Sequence, residues 1–351
     1  WKDLWHGDHE DISRDCSLLH IVAYCGLLPF ARYLLSKGAD PNSEDAGGKT
    51  PLVYAVMKGH DEMVSLLLQH HADHDIRVTY DGIGIREEQP LVHYACKLNH
   101  VQVLRALIHG GADAMAKDTE CHGHGRKYYC EILDETVFYH SCQKNRTALA
   151  IACQDGHVDA VRELMKHVDS SCLGDGYLHL AAKEGHAKVV TALLQHENVR
   201  LAINERNSEG NTPLYLAARR RSSSTIQVLL DHGADIHILS MNRNSPPEPP
   251  QKEESAINPV MSPSYTPLHG CAIGVTHEEH GLWGVGDMEF GYLKGQDLKG
   301  SLEILLKAGC DINARDHRGR TVLFWWANVD WFAMRKDESL PSYLTMARMA
   351  L

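Results

Sequence analysis

Thr212-Pro-Leu-Tyr-Leu-Ala-Ala218 decides the fold, because the same short phrase recurs along the chain. Ser17-Leu-Leu-His20-Ile-Val-Ala23, Thr50-Pro-Leu-Val-Tyr-Ala55, Pro90-Leu-Val-His93-Tyr-Ala-Cys96 and Thr147-Ala-Leu-Ala-Ile-Ala-Cys153 precede it. Gly176-Tyr-Leu-His179-Leu-Ala-Ala182 also precedes it, and Thr266-Pro-Leu-His269-Gly-Cys-Ala272 and Thr321-Val-Leu-Phe324 follow. Self-similarity at such a period marks a repeat architecture, and every other feature has to be read against it.

Each of the first seven copies is followed by a second apolar stripe, for example Val64/Leu67/Leu68, Leu104/Leu107/Ile108, Val190/Leu193/Leu194 and Ile226/Leu229/Leu230. The i, i+3, i+4 spacing is one face of a helix. Several stripes close on a Gly-Ala-Asp signal, at Gly38-Ala-Asp40, Gly111-Ala-Asp113 and Gly233-Ala-Asp235, with variants His71-Ala-Asp73 and Gly309-Cys-Asp311. The Gly supplies the left-handed residue that ends a helix. At the front of the phrase, Thr can cap the free N–H groups of the first turn, and Pro fits the first helical position, where no N–H is needed. The unit is therefore a helix, a short turn such as Gly59-His60, Gly156-His157 or Gly185-His186, a second helix and a polar turn. Alone it cannot bury its apolar face, so units must stack.

This phrase resembles the signature of the ankyrin repeat family, whose unit is about 33 residues long. The copies at Ser17 and Thr50 are 33 residues apart, and the likeness runs from about residue 10 to residue 335. The resemblance implies an all-α ankyrin-repeat solenoid of about eight stacked helix-turn-helix units in a single array over 1–351, starting near residues 17, 50, 90, 147, 176, 212, 266 and 321. It also implies a protein-interaction scaffold that binds its partner through the concave helix face and the turn tips.

The intervals between copies are 33, 40, 57, 29, 36, 54 and 55 residues, so insertions interrupt the period. Three fall between repeats, at 76–89, 116–145 and 240–264, and should emerge on the turn edge. A fourth, 274–299, falls between the two helices of its own repeat and should emerge on the opposite edge. The third carries Pro246-Pro247-Glu-Pro249-Pro250 and reads as a disordered loop. The fourth is rich in Gly yet holds Trp283, Phe290 and Tyr292, which favours a loop folded back on the stack. A helix is expected to start at Pro341.

Composition narrows the function classes. With 35 Lys plus Arg against 46 Asp plus Glu, the net charge of −11 argues against a nucleic-acid surface, and Arg219-Arg220-Arg221 is too short to reverse it. No run of about 18 apolar residues suggests a membrane span. Ten irregularly spaced Cys point to reduced thiols in an intracellular, cytoplasmic protein. Residue 1 is Trp with no leader-like segment after it, so targeting is unreadable and the natural N-terminus is expected to be missing. The oligomeric state is open.

Candidate chemistry concentrates in the second insertion. Cys121, His122, His124, Cys130, His140 and Cys142 offer six thiolate or imidazole ligands, enough for a four-coordinate zinc site. No Cys-x-x-Cys pair is present, and the favoured reading is no cofactor, with the loop packing through Tyr128, Tyr129, Ile132, Leu133, Val137, Phe138 and Tyr139. His277-Glu-Glu-His280 has its His residues three apart, not four, and reads as a solvated loop. The remaining His and Cys fall largely in repeat positions. His20, His93, His179 and His269 stand at helix starts, and Cys96, Cys153 and Cys271 take small-residue places. No nucleophile elbow, phosphate loop or dinucleotide fingerprint occurs, so the chain reads as a non-enzyme.

Within the resemblance, the binding face maps to the two positions after the small-residue pair: Tyr24/Cys25, Met57/Lys58, Lys97/Leu98, Gln154/Asp155, Lys183/Glu184 and Arg219/Arg220. Tyr24, Met57 and Leu98 would be apolar anchors. Two rival readings are a metal or small-molecule site built from the Cys/His-rich insertion, and the regulatory array of a larger enzyme.

Overall fold

The computed structural model describes residues 16–82, 85–118, 128–130, 135–137, 146–168, 176–241, 264–273, 297–317 and 319–324. The chain divides into two compact units, residues 1–169 and 170–351. Each is a stack of helix-turn-helix repeats.

In the first unit, inner helices α1 (Leu18–Cys25), α3 (Pro51–Lys58), α5 (Leu91–Lys97) and α7 (Ala148–Asp155) pack side by side. Behind them run outer helices α2 (Leu28–Ser36), α4 (Asp61–Gln69), α6 (Val101–His109) and α8 (Val158–Leu164). The second unit stacks inner helices α9 (Tyr177–Glu184), α12 (Pro213–Arg220) and α14 (Pro267–Ile273). Its outer helices are α10 (Ala187–Leu194), α13 (Ser223–Asp231) and α15 (Leu298–Lys307), with α11 (Glu197–Leu201) following α10. The first helix of an eighth repeat opens at Val322, and its continuation past residue 324 lies outside the described residues, as does the helix expected at Pro341.

The helices are too short to be stable alone. Stability comes from the stripes read in the sequence: Val64, Leu67, Leu104, Leu107, Val190, Leu193, Ile226 and Leu229 are wholly buried between layers. Each such side chain contributes roughly 2–3 kcal/mol. Ala55, Ala95, Cys96, Ala152, Cys153, Ala181 and Ala217 are equally buried, and their small size lets neighbouring helices approach.

Helix ends follow local chemistry. Thr147, Thr212 and Thr266 accept through Oγ1 from the N–H three residues on. Thr50 does not: its Oγ1 is buried and makes no hydrogen bond among the described residues. Gly26 ends α1 at φ 68°, and a Cβ there would stand 2.9 Å from the His60 ring, so the position needs glycine twice over. The Gly-Ala-Asp signals end the outer helices as expected, with Gly38, Gly111, Gly233 and Gly309 all at positive φ. At the variant, His71 takes the same left-handed conformation (φ 63°) with a side chain that opposes it.

Three two-stranded hairpins add to the helical class. Strands β1 (Arg77–Gly82) and β2 (Ile85–Pro90) pair antiparallel from Arg77↔Pro90 to Gly82↔Ile85, occupying the 76–89 insertion. Val78, Thr79 and Tyr80 are residue types that favour strands, a local signal that the helical period masked. β3 (Tyr128–Cys130) pairs with β4 (Glu135–Val137) in the second insertion. β5 (Ser240–Met241) pairs with β6 (Ser264–Tyr265), joining the two ends of the third. The Pro-rich stretch 246–250 and the Gly- and aromatic-containing stretch 274–296 lie outside the described residues. The fourth insertion is shorter than its expected bounds, since Leu298 and Lys299 already belong to α15.

Candidate functional site

Two rows of residues line the inner helices, and the structure separates what holds the stack together from what is left to meet other molecules. The first row is the signature His. His20 Nε2 lies 3.0 Å from the Lys49 carbonyl of the next repeat. A carbonyl only accepts, so Nε2 carries the proton, and Nδ1 accepts from the Ser17 backbone N–H at 3.0 Å, with the Ser17 hydroxyl at 2.7 Å. His269 repeats this with the Arg320 carbonyl (3.3 Å) and the Thr266 hydroxyl (2.8 Å). His93 reaches the Arg146 carbonyl, and His179 the Glu205 carbonyl, each at 3.0 Å. These rings therefore staple one repeat to the backbone of the next.

Burial lowers the pKa of His93, His179 and His269, outweighing the hydrogen bonds that raise it, so all three are neutral near pH 7. The staple needs both a hydroxyl and an imidazole. Pro90 and Gly176 stand where Ser17 and Thr266 stand, and there His93 Nδ1 and His179 Nδ1 are buried with no hydrogen bond among the described residues. Val53 replaces the His after Thr50, and there the hydroxyl is orphaned.

A reverse set of staples starts in the turns. His60 Nε2 lies 3.0 Å from the Tyr24 carbonyl and His100 Nε2 3.4 Å from the Met57 carbonyl, each reaching the preceding repeat. In the second unit Ser222 replaces the His and donates to the Gly185 carbonyl at 3.2 Å. Arg221, left-handed at φ 58°, donates from Nε to the Cys271 carbonyl at 3.0 Å. One member of the arginine triplet thus belongs to the scaffold.

The hairpin turns carry a third device, which sequence reading missed. Asp45 Oδ1 accepts from the N–H of Gly47 and of Lys49, while Tyr54 donates to Oδ2 at 2.5 Å. Burial raises the Asp45 pKa, but these donors outweigh it and hold the carboxyl below its ordinary value. Asn207 and Asp316 occupy the same place, accepting from the N–H of Asn211 and Arg320 four residues on. Asp118 does so with Arg146, 28 residues on. A polar acceptor four residues before another polar residue, immediately ahead of the signature Thr, was the available signal.

On the outer layer, Arg105 of α6 forks onto Glu163 of α8, Nε to Oε1 at 3.1 Å and Nη2 to Oε2 at 2.7 Å, with Lys166 Nζ also at 2.8 Å from Oε2. The arginine hydrogen bond is the largest influence on this nearly buried carboxylate and holds its pKa down to about 2, against the opposing effect of burial. Cys96 and Cys271 are pushed up to about 12 by burial, and Cys153 higher still, so these thiols stay protonated and act as small apolar side chains.

The second row is the candidate binding face. In the first unit Lys97, Leu98, Cys25 and Asp155 are exposed, and Tyr24, Met57, Lys58 and Gln154 are half-buried. All lie at or next to the C-terminal ends of adjacent inner helices. Lys58 Nζ sits 4.4 Å from the centroid of the Tyr24 ring, and Tyr24 meets Tyr54 edge-on at 6.2 Å, so the aromatic anchor is held in place from the following repeat. In the second unit Lys183, Glu184, Arg219 and Arg220 are half-buried at the ends of α9 and α12.

Of the candidate zinc ligands, Cys121, His122, His124, His140 and Cys142 lie outside the described residues, as do His277 to His280, and Cys130 ends β3 opposite Glu135. Among the described residues, Asp73, His74 and Asp75 bring one ligand atom each within 4.8 Å of one another. Asp73 Oδ1 is engaged by the Asp75 N–H and His74 Nδ1 by Asp75, which makes the group a self-satisfied turn.

A family model described as ankyrin repeats in three copies matches residues 19–118, 125–201 and 170–240. Human transient receptor potential cation channel subfamily A member 1 is 28% identical over 235 residues, 61% of this chain and 20% of that protein. Ankyrin repeat protein nuc-2 of Neurospora crassa is 30% identical over 235 residues, 66% of this chain and 19% of that protein. Human Rabankyrin-5 is 27% identical over 242 residues, 68% of this chain and 16% of that protein. The chain thus spans a fifth or less of the length of these relatives. Among solved structures, the human ASB11 ankyrin repeat domain aligns with 65% of this chain and 88% of its own, at 20% identity and a TM-score of 0.44. Signature, stacked helix pairs and family match together place this chain in the ankyrin repeat family.

Proposed function

We propose that this chain is a protein-binding scaffold whose contact surface is the row at the ends of the inner helices. Ankyrin repeats are generally protein–protein interaction modules, and their homologues generally work without catalysis. No described helix is long and apolar enough to cross a membrane. The observation that carries the reading is the division of labour along the inner helices. The signature Ser, Thr and His are buried and occupied by the stack. One turn later, Tyr24, Met57, Lys58, Lys97 and Leu98 reach solvent on adjoining repeats.

That row mixes apolar anchors with flanking charge, as protein contact surfaces do. Leu98 is 40% exposed at the end of α5, where a purely structural position would be polar. In the second unit the corresponding row is Lys183, Glu184, Arg219 and Arg220, which favours an acidic stretch of the partner there. The proposal includes no cofactor and an intracellular place of action.

A photoreactive side chain at Leu98 tests it, with a control at Glu62, which is exposed on outer helix α4. A discrete crosslinked partner from position 98 alone, lost on Tyr24→Ala with Lys58→Ala, is the expected result. Equal crosslinking from both positions would refute the inner-face assignment.

A further inference from the structure

The first repeat exposes residues that every later repeat of its unit buries. Leu18 at the start of α1 and Phe30 on α2 are 61% and 62% exposed, and Tyr33 is 60% exposed. With the 33-residue offset between the first two copies, Leu18 corresponds to Pro51, Phe30 to Met63 and Tyr33 to Leu66. Met63 and Leu66 are 1% and 3% exposed, and Pro51 is buried. One and two repeats further on, the Phe30 position holds Val103 and Ala160 and the Leu18 position Leu91 and Ala148, all buried.

These positions face the preceding repeat: Tyr54, from the same leading face of α3, packs edge-on against His20 and Tyr24. An end repeat with nothing before it carries polar residues on this face. Here the face is Leu18, Ile21, Leu27, Phe30 and Tyr33, an apolar patch of the kind that marks a contact.

The geometry points to residues 1–15 of this chain as the cover of that end face, with Trp1, Leu4 and Trp5 seated on Leu18 and Phe30. Three observations select this occupant. Trp1, Leu4 and Trp5 have the i, i+3, i+4 spacing that puts three large apolar side chains on one side of a helical turn. The segment runs directly into Ser17, the cap of α1, and the residues between Trp5 and Ser17 span up to roughly 35–40 Å when extended, several times the roughly 10 Å between packed helices. Its charge is also complementary. Asp3, Asp8, Glu10, Asp11 and Asp15 outnumber Lys2 and Arg14, while α1 and α2 contain no acidic residue and present Arg32 and Lys37.

Hydrogen exchange on the full chain, read over residues 18–36, tests the proposal. Trp1→Ser with Trp5→Ser lies outside the helical stack, and Phe30→Ser alters an exposed ring, so neither change cuts into the core. Each should speed exchange in 18–36 by about tenfold while residues 91–109 stay as they were, because only the end repeat loses its cover. Combining them should add nothing further, since both remove one contact. Unchanged exchange in the Trp variant would overturn the proposal. So would a full-chain dimer, seen by sedimentation, that dissociates on Phe30→Ser and ignores the Trp changes, since the cover would then be a second copy.

Discussion

The hairpin turns at Asp316–Arg320 and at Asp118–Arg146 are the same device closing loops of very different length. In both, the Asp N–H donates to the Arg carbonyl, the Arg N–H donates back to Asp Oδ1, and Arg Nε donates to Asp Oδ2. Both are framed by a single bridge, Arg315↔Thr321 in one and Lys117↔Thr147 in the other. Four residues separate the partners in the first and 28 in the second. An ankyrin stack therefore tolerates a long insertion at the turn tip because the clamp restores the repeat on either side of it. Loop-closure entropy grows only logarithmically with length, so the clamp has little extra to offset.

Breaking the clamp should give the largest effect. Asp118→Ala leaves the Arg146 guanidinium and N–H without their carboxylate and should cost about 3 kcal/mol, read from the urea midpoint of the first unit. Asp316→Ala should cost about 1–2 kcal/mol less, because a four-residue turn closes with a smaller entropic penalty. Equal losses would show that chain length is irrelevant to the device. Next, replacing 119–145 by the three residues that separate Asp316 and Arg320 should raise stability by about 1–2 kcal/mol, the closure difference alone. A drop instead would mean that the inserted residues pack on the stack or are organised by a bound metal, and metal analysis of the parent chain would separate those two causes.

A smaller effect belongs to the staples. Pro90→Thr should stabilise by about 1 kcal/mol, since it supplies a cap for α5 and a hydroxyl for the orphaned His93 Nδ1, at a backbone conformation (φ −56°, ψ 150°) that Thr readily adopts. No gain in melting temperature would show that the missing hydroxyl is already compensated. The finest contrast is in acid. His93, His179 and His269 have folded pKa values below 6.5, so below that pH the unfolded chain takes up protons that the folded chain does not. Their contribution is full above pH 6.5 and is lost as pH falls from there through the lowered values. Glu163 acts in a lower window, keeping its contribution above pH 4.5 and losing it towards about 2. Two of the three His lie in the second unit and Glu163 in the first, so urea midpoints at pH 8, 6 and 5 should fall more steeply for the second unit. Parallel slopes would count against the neutral-staple assignment.

Much of the fold was legible in the sequence because its determinants are local. Helical period, the Thr or Ser ahead of the signature, Gly at the turn and the Gly-Ala-Asp stop each act within a few residues. The hairpin β1–β2 was missed although Val78, Thr79 and Tyr80 carried a strand signal, because six residues a side sit inside one interval of a longer repeat. The candidate binding row was placed by counting from the small-residue pair, and counting locates a position on a helix without showing what its side chain touches. That Lys58 holds Tyr24, and that Arg221 belongs to the scaffold beside Arg219 and Arg220, required coordinates.

By itself the sequence determined the repeat, its caps and stops, the apolar stripes and the places where insertions interrupt them, since these depend on residues three, four or 33 apart. Only the tertiary structure decided which polar groups are satisfied. Whether His93 finds a hydroxyl, whether Asp118 reaches Arg146 across 28 residues, and whether Phe30 faces a neighbour are questions about atoms brought together by stacking. Hydrogen bonds and ion pairs act over about 3 Å, a scale on which distance along the chain carries no information.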